Sequence, residues 1–245
     1  MHTYATAVGL SVLGSAGGLL AASTFLLLGD RIREKIVPWL ISYAVGTLLG
    51  VALLALLPEA LEHVKPASAL TALLAGVLAF FLLEKFVLWR HCHDTHECEV
   101  HTSTAASLVI IGDAFHTFVD GAVIAAAVIT SVPLGITTAL AVATHEIPQE
   151  VGDVAILLRA GFSRSRAFVL NLLAAAGGVL GAIAMLLASQ SVPNLLPYVL
   201  SFAAGNFLYI AMSDLIPDLH RGGVEGGPFR QLLLIIAGVA TISLL

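Results

Sequence analysis

The chain has 245 residues, 58% hydrophobic and only 11% charged, with a net charge of -5 at pH 7 and a mean hydropathy of +0.98. A soluble domain is about one quarter charged, so a water-soluble globule is excluded. No basic stripe suggests nucleic acid, and no nucleotide-phosphate loop suggests ATP. Apolar runs of about 20 residues recur along the whole length, which makes the lipid bilayer the first partner to expect.

Eight such runs are expected to form helices, at roughly 4–28, 36–61, 67–89, 104–130, 133–158, 166–190, 195–219 and 229–245. The first lacks the basic start of a signal peptide and reads as a retained helix. Arg31, Arg33 and Lys35 follow the first run, Lys85 and Arg90 end the third, Arg159, Arg164 and Arg166 separate the fifth from the sixth, and Arg221 and Arg230 separate the seventh from the eighth. Of the eleven cations only Lys65 lies in the alternate connections. That asymmetry predicts a multi-pass protein of the plasma (inner) membrane with both termini extracytoplasmic. Cys92 and Cys98 then fall in a cytosolic loop, where a structural disulfide is not expected.

The second run reads Ser42-Tyr43-Ala44-Val45-Gly46, then eleven residues, then Pro58-Glu59; the seventh reads Ser201-Phe202-Ala203-Ala204-Gly205, then eleven residues, then Pro217-Asp218. Five helices separate the copies, an odd number, so the two point in opposite directions. Inverted repeats of this kind build many transporters, with the site near the midplane. The reading is an all-α polytopic membrane protein. Its eight helices form one domain over 1–245, a 3+2+3 bundle in which helices one to three and six to eight repeat and the fourth and fifth are central.

Those central helices carry the chemistry. The fourth contains Asp113-Ala114-Phe115-His116-Thr117-Phe118-Val119-Asp120-Gly121, and the fifth His145-Glu146-Ile147-Pro148-Gln149-Glu150-Val151-Gly152-Asp153, with no Lys or Arg in either stretch. A carboxylate in hydrocarbon costs roughly 2.5–3.5 kcal/mol on insertion scales, so these groups need protons, water or a cation. Histidines among them favour a transition-metal dication. His116 and Asp120, four apart, share a helix face, with Asp113 on the same stripe. On the fifth helix His145 pairs with Gln149 and, on an adjacent face, Glu146 with Glu150, while Asp153 extends that stripe. Pro148 removes the backbone bond to the Thr144 carbonyl and predicts a bend. Gly121 and Gly152 allow close approach to the backbone. Asp113 and Asp153 read as residues of the pathway, with Glu59, Glu62 and His63 guiding an ion in from outside.

These stretches, with Ala44-Val45-Gly46-Thr47-Leu48, Leu56-Leu57-Pro58 and Gly205-Asn206-Phe207-Leu208-Tyr209, resemble the ZIP (Zrt/Irt-like) family of metal transporters over nearly the whole chain. The resemblance implies import of a divalent metal as transported substrate and not as cofactor, zinc first, with iron, manganese or cadmium as further candidates. It also implies a paired site: a first position of His116, Asp120, His145 and Gln149, and a second of Thr117, Glu146 and Glu150, with Asn171 as a further polar contributor. Two departures stand out. The family often has Asn where this chain has Thr117, and His where it has Gln149, which hardens the first site. Ala55 and Val51 also replace polar residues of some relatives.

His91, Cys92, His93, His96, Cys98 and His101 crowd one predicted cytosolic loop without zinc-finger spacing and read as a flexible metal-collecting segment. Runs such as Ala174-Ala175-Ala176-Gly177-Gly178 permit close helix packing and a homodimer. The alternative from another class is an intramembrane zinc metalloprotease, because His145-Glu146-Ile147-Pro148-Gln149 is one residue from the H-E-x-x-H pattern. A metal sensor is a third reading, without any signalling domain to support it.

Overall fold

The computed structural model describes residues 2–26, 30–89, 101–192, 194–221 and 227–245, and these are helical apart from short turns. The helices are α1 (His2–Leu26), α2 (Asp30–Gly50, continued by Val51–Leu56 and Leu57–His63), α3 (Pro66–Trp89), α4 (His101–Thr130), α5 (Val132–Arg159), α6 (Arg164–Ser191), α7 (Leu195–Tyr209, continued by Ile210–Leu215 and Ile216–Arg221) and α8 (Gly227–Leu244). Each expected run is recovered. Seven are long and apolar enough to cross a membrane. The exception is α5, 28 residues long, in which Glu146, Glu150 and Asp153 dilute the apolar sequence. Its start is set locally: the Ser131 hydroxyl accepts from the Leu134 N–H, and Pro133 sits in the first turn, where its missing donor costs nothing.

Both α2 and α7 widen into a π-helical turn, at Val51–Leu56 and Ile210–Leu215. Proline explains it. Pro58 and Pro217 cannot donate, and their rings would strike the carbonyl four residues earlier in a regular helix. One wider turn relieves this: the N–H of Leu57 reaches the carbonyl of Ala52, and that of Ile216 the carbonyl of Ala211, each five residues back. The two turns lie 159 positions apart (210 minus 51), the same spacing that separates Gly46 from Gly205.

The helices pack as two groups. One contains α1, α4, α5 and α6; the other contains α2 against α8 and α3 against α7. Contact within each group is set by glycine. A Cβ on Gly121 would overlap the carbonyl oxygen of Gly178, and one on Gly181 that of Phe118, so α4 and α6 touch backbone to backbone. A Cβ on Gly46 would overlap the Ile235 carbonyl oxygen and one on Gly205 that of Leu73, while Gly238 and Gly76 face the carbonyls of Tyr43 and Phe202. Tyr43 and Phe202 are again 159 apart, so α2–α8 and α7–α3 make the same contact twice. Between the groups, the Thr47 and Thr144 hydroxyls meet at 2.7 Å, joining α2 to α5.

Gly121→Ala is expected to force α4 and α6 apart and lower the thermal midpoint of the detergent-solubilised protein, by an overpacking cost of about 1–3 kcal/mol. Gly9→Ala, where an added Cβ meets nothing within 4 Å, should leave the midpoint unchanged.

Candidate metal centre

At the α4–α5 crossing two imidazoles and two carboxylates converge. The Nε2 atoms of His116 and His145 lie 3.2 Å apart. Asp120 Oδ2 is 3.4 Å from the first and 3.2 Å from the second, and Glu146 Oε1 is 3.9 Å from His116 Nε2. One ligand atom from each of the four residues falls within 4.8 Å of all the others, and all four residues are buried. The rings stand nearly perpendicular, at 87°. Phe80 on α3 packs edge-on against His116, and Phe207 on α7 lies against His145, so the second helix group walls the site.

The tautomer of His145 follows from its neighbour. Its Nδ1 lies 3.0 Å from the Ala141 carbonyl oxygen, which can only accept. Nδ1 therefore carries the proton, leaving the Nε2 lone pair aimed into the cluster, as a metal-binding histidine requires.

A second group lies beside the first: Asp113, Glu146 and Glu150 also bring one oxygen each within 4.8 Å of one another. Glu146 belongs to both. Both carboxyl oxygens of Asp120, Glu146 and Glu150 are buried without a hydrogen-bond partner among the described residues. The ion-pair contacts of these acids are with imidazoles alone, again among the described residues. Uncompensated carboxylates cannot persist in so dry a place. A dication would neutralise them, and two nitrogens with two or more oxygens is a donor set that zinc accepts.

Two placements differ from expectation. The Gln149 amide donates to Asp113 Oδ1 at 3.3 Å, and Glu146 joins His116, Asp120 and His145 in the first cluster. A glutamate one position along the helix is long enough to reach around to the same ion, whereas the amide finds a carboxylate one turn inward. Thr117 is fully buried but faces α6, its hydroxyl 2.9 Å from both the Asp113 and Ala174 carbonyl oxygens, and it is not brought to the second cluster. A threonine in a helix commonly satisfies itself on backbone carbonyls in this way. Asn171 on α6 is fully buried with both amide atoms unpartnered among the described residues, and so is Asn206 on α7, to which the sequence reading gave no role of its own although it is a lone amide in an apolar run. His91, Cys92, His93, His96 and Cys98 lie outside the described residues, and His101 opens α4.

The cluster has access on one side. A cavity of about 400 Å³ reaches it between α3, α4, α5 and α7, lined by His116, Asp113, Gln149 and Asp153 among others. Glu84, Tyr209 and Asp214 stand in its wall, with the Tyr209 hydroxyl donating to the Glu84 carboxylate. These are the helix ends that carry the arginine-rich connections. A separate pocket of about 380 Å³ opens at the opposite ends and includes Glu59, His63 and Leu200. Leu200 of this pocket and Phe207 against His145 belong to one continuous apolar core, together with Leu56, Val123 and Ala204.

The model of the family described as ZIP Zinc transporter matches residues 89–245, from the end of α3 to the last residue. The chain belongs to the ZIP family. Zinc transporter ZIP13 of Pongo abelii is 37% identical over 239 residues, covering 89% of this chain and 71% of its own length. Zinc transporter ZIP13 of Homo sapiens is 32% identical over 276 residues, 89% and 74% of the two chains. Zinc transporter ZIP10 of Danio rerio is 39% identical over 123 residues, half of this chain but 14% of its own. A ZIP protein is a transporter and not an enzyme, and the metal is its substrate. The metalloprotease alternative is set aside on the same ground, and Gln149, bonded to Asp113, does not stand in for the second histidine of that motif.

Asp120→Asn should weaken zinc binding to the purified protein by more than about tenfold, measured by competition with a chromogenic chelator. Thr117→Val keeps the shape and loses only the backbone bonds; it should change that affinity less than about twofold.

Proposed function

We propose that this ZIP protein imports zinc into the cytosol by alternating access, taking the ion on His116, Asp120, His145 and Glu146. The observation that carries this reading is the convergence of two imidazoles and two carboxylates, buried, without a basic partner among the described residues, at the end of an open cavity. Such a site is complete only when a dication is in it. Asp113 and Glu150, sharing Glu146, form the second position, whose all-oxygen character also suits harder ions such as manganese or iron; cadmium is a further candidate at the first. Asn171 supports the site from α6, and Thr117 holds α4 to α6.

The cavity supports an inward-facing state, with the arginine-rich connections cytosolic as the cation asymmetry argues. Both termini are then extracytoplasmic, in a plasma (inner) membrane. An ion gathers at Glu59 and His63, binds at the cluster and leaves past Asp113 and Asp153. Helices α1–α3 and α6–α8 form an inverted repeat around α4 and α5 within one transporter domain, a reading supported by the paired π turns and the twice-made glycine contact. Transport moves the group α1, α4, α5 and α6 against the rest. An inside-negative potential drives a dication inward, worth about 2.3 kcal/mol per charge per 100 mV.

In proteoliposomes holding a zinc-sensitive dye, external zinc should enter, faster with an inside-negative potassium diffusion potential. His116→Ala and Asp120→Ala should each cut the initial rate by more than about tenfold, some 1.4 kcal/mol of barrier. Wild-type flux no greater than in empty vesicles, or variants that transport like wild type, would remove the proposal.

A further inference from the structure

The two pockets at opposite ends share two positions related by the 159-residue spacing of the repeat. The inner cavity is lined on α7 by Tyr209, Ile210, Asp214, Leu215 and Asp218, and on α2 by Ile41. Moved by 159 positions, Asp218 falls on Glu59 and Ile41 on Leu200, and both of these line the outer pocket. Ile210, Asp214 and Leu215, which belong to the π turn of α7, fall on Val51, Ala55 and Leu56, which belong to the π turn of α2. Val51 and Ile210 are both buried in the apolar core, but the other two pairs differ: Leu56 is fully buried in that core where Leu215 is only half-buried, and Ala55 is half-buried where Asp214 is exposed. One π turn thus walls an open route and the other fills a closed one.

We infer that the π turn Val51–Leu56 is the outer gate: when the inner cavity closes, Val51, Ala55 and Leu56 line a second route running from Glu59 to His145 and Asp120. The inference rests on the alternating-access reading and adds the location of the unseen route. A π turn suits the role because it carries one residue more than the α-helix it interrupts and lacks the regular four-back bonds, so a shift of register costs less there than in unbroken helix. The side chains also differ in kind between the routes. Asp214 on the inner wall corresponds to Ala55 on the outer, so below Glu59 the outer route lacks the carboxylate that the inner wall carries at this position.

The test uses single cysteines in a full-length background carrying Cys92→Ser and Cys98→Ser, in sealed membrane vesicles, with a membrane-impermeant thiosulfonate added to either face. Leu215→Cys marks the inner route. Leu53→Cys, whose parent leucine is 45% exposed on the lipid side, and which corresponds to Met212 outside the cavity wall, is the control. Val51→Cys and Leu56→Cys should react from the face opposite to Leu215→Cys, about tenfold faster than Leu53→Cys, and labelling should stop zinc flux. If either variant does not transport zinc before labelling, Ala55→Cys takes its place with the same expectation. Zinc flux in the background with no reaction at Val51, Ala55 or Leu56 above the Leu53 rate would overturn the gate and leave the carrier standing. Absence of zinc flux in the background and wild type alike would remove the carrier and the gate with it.

Discussion

Asp120 is the pivot of the molecule. Its Oδ2 lies within 3.4 Å of two imidazole nitrogens, both its oxygens are buried, and it accepts no hydrogen bond among the described residues. A membrane interior does not tolerate that group unless something positive stands beside it. The chain supplies no lysine or arginine there; it supplies Glu146, Asp113 and Glu150, which add to the deficit. On the proposed reading, what resolves it comes from outside, binds two nitrogens and several oxygens, and carries at least two charges. The donor geometry, the absence of fixed countercharge and the cavity at His116 all express this one constraint.

Around that cluster the two helix groups are held together internally and joined to each other by different kinds of contact, as the proposed movement between them requires. Within each helix group, glycines bring backbones into contact, as Gly121 does with Gly178 and Gly46 with Ile235, and such contacts have little freedom to slide. Across the seam between groups, the meeting of Thr47 and Thr144 is a neutral hydroxyl pair, of a kind worth on average about 0.6 kcal/mol in membrane proteins. A stiff body on either side of a weakly bonded seam is what a carrier needs. The thermodynamic work falls to the ion, whose loss of water is compensated at the cluster.

Much of this was legible in the residues. All eight helices appear within a few residues of their apolar runs, because backbone groups in lipid must be satisfied internally and leave little choice of structure. His116, Asp120 and His145 were legible from helical spacing alone, since i and i+4 share a face regardless of context. Tyr43, Gly46 and Pro58 match Phe202, Gly205 and Pro217 at one spacing, and the same prolines place the π turns. Spacing failed where the answer depended on the neighbouring helix. Gln149 lies on the same face as His145, but Asp113 across the α4–α5 crossing offered its amide a better partner. Glu146 was assigned to the adjacent face, and only the way α4 and α5 meet brings its long side chain back to His116. Thr117 was expected beside a metal; a fully buried hydroxyl within 2.9 Å of two carbonyls had nearer business. The hydropathy signal of α5 is weak because it carries the acids of the candidate site.

X-ray absorption at the zinc edge, on purified protein loaded with one equivalent of zinc, tests the central claim most directly. The account predicts a first shell of nitrogen and oxygen at about 2.0–2.1 Å, with multiple scattering from two imidazoles that falls to one in His116→Ala. A shell dominated by sulfur at about 2.3 Å, or imidazole scattering unchanged in His116→Ala, would mean that zinc rests elsewhere and that the buried carboxylates are not held for it.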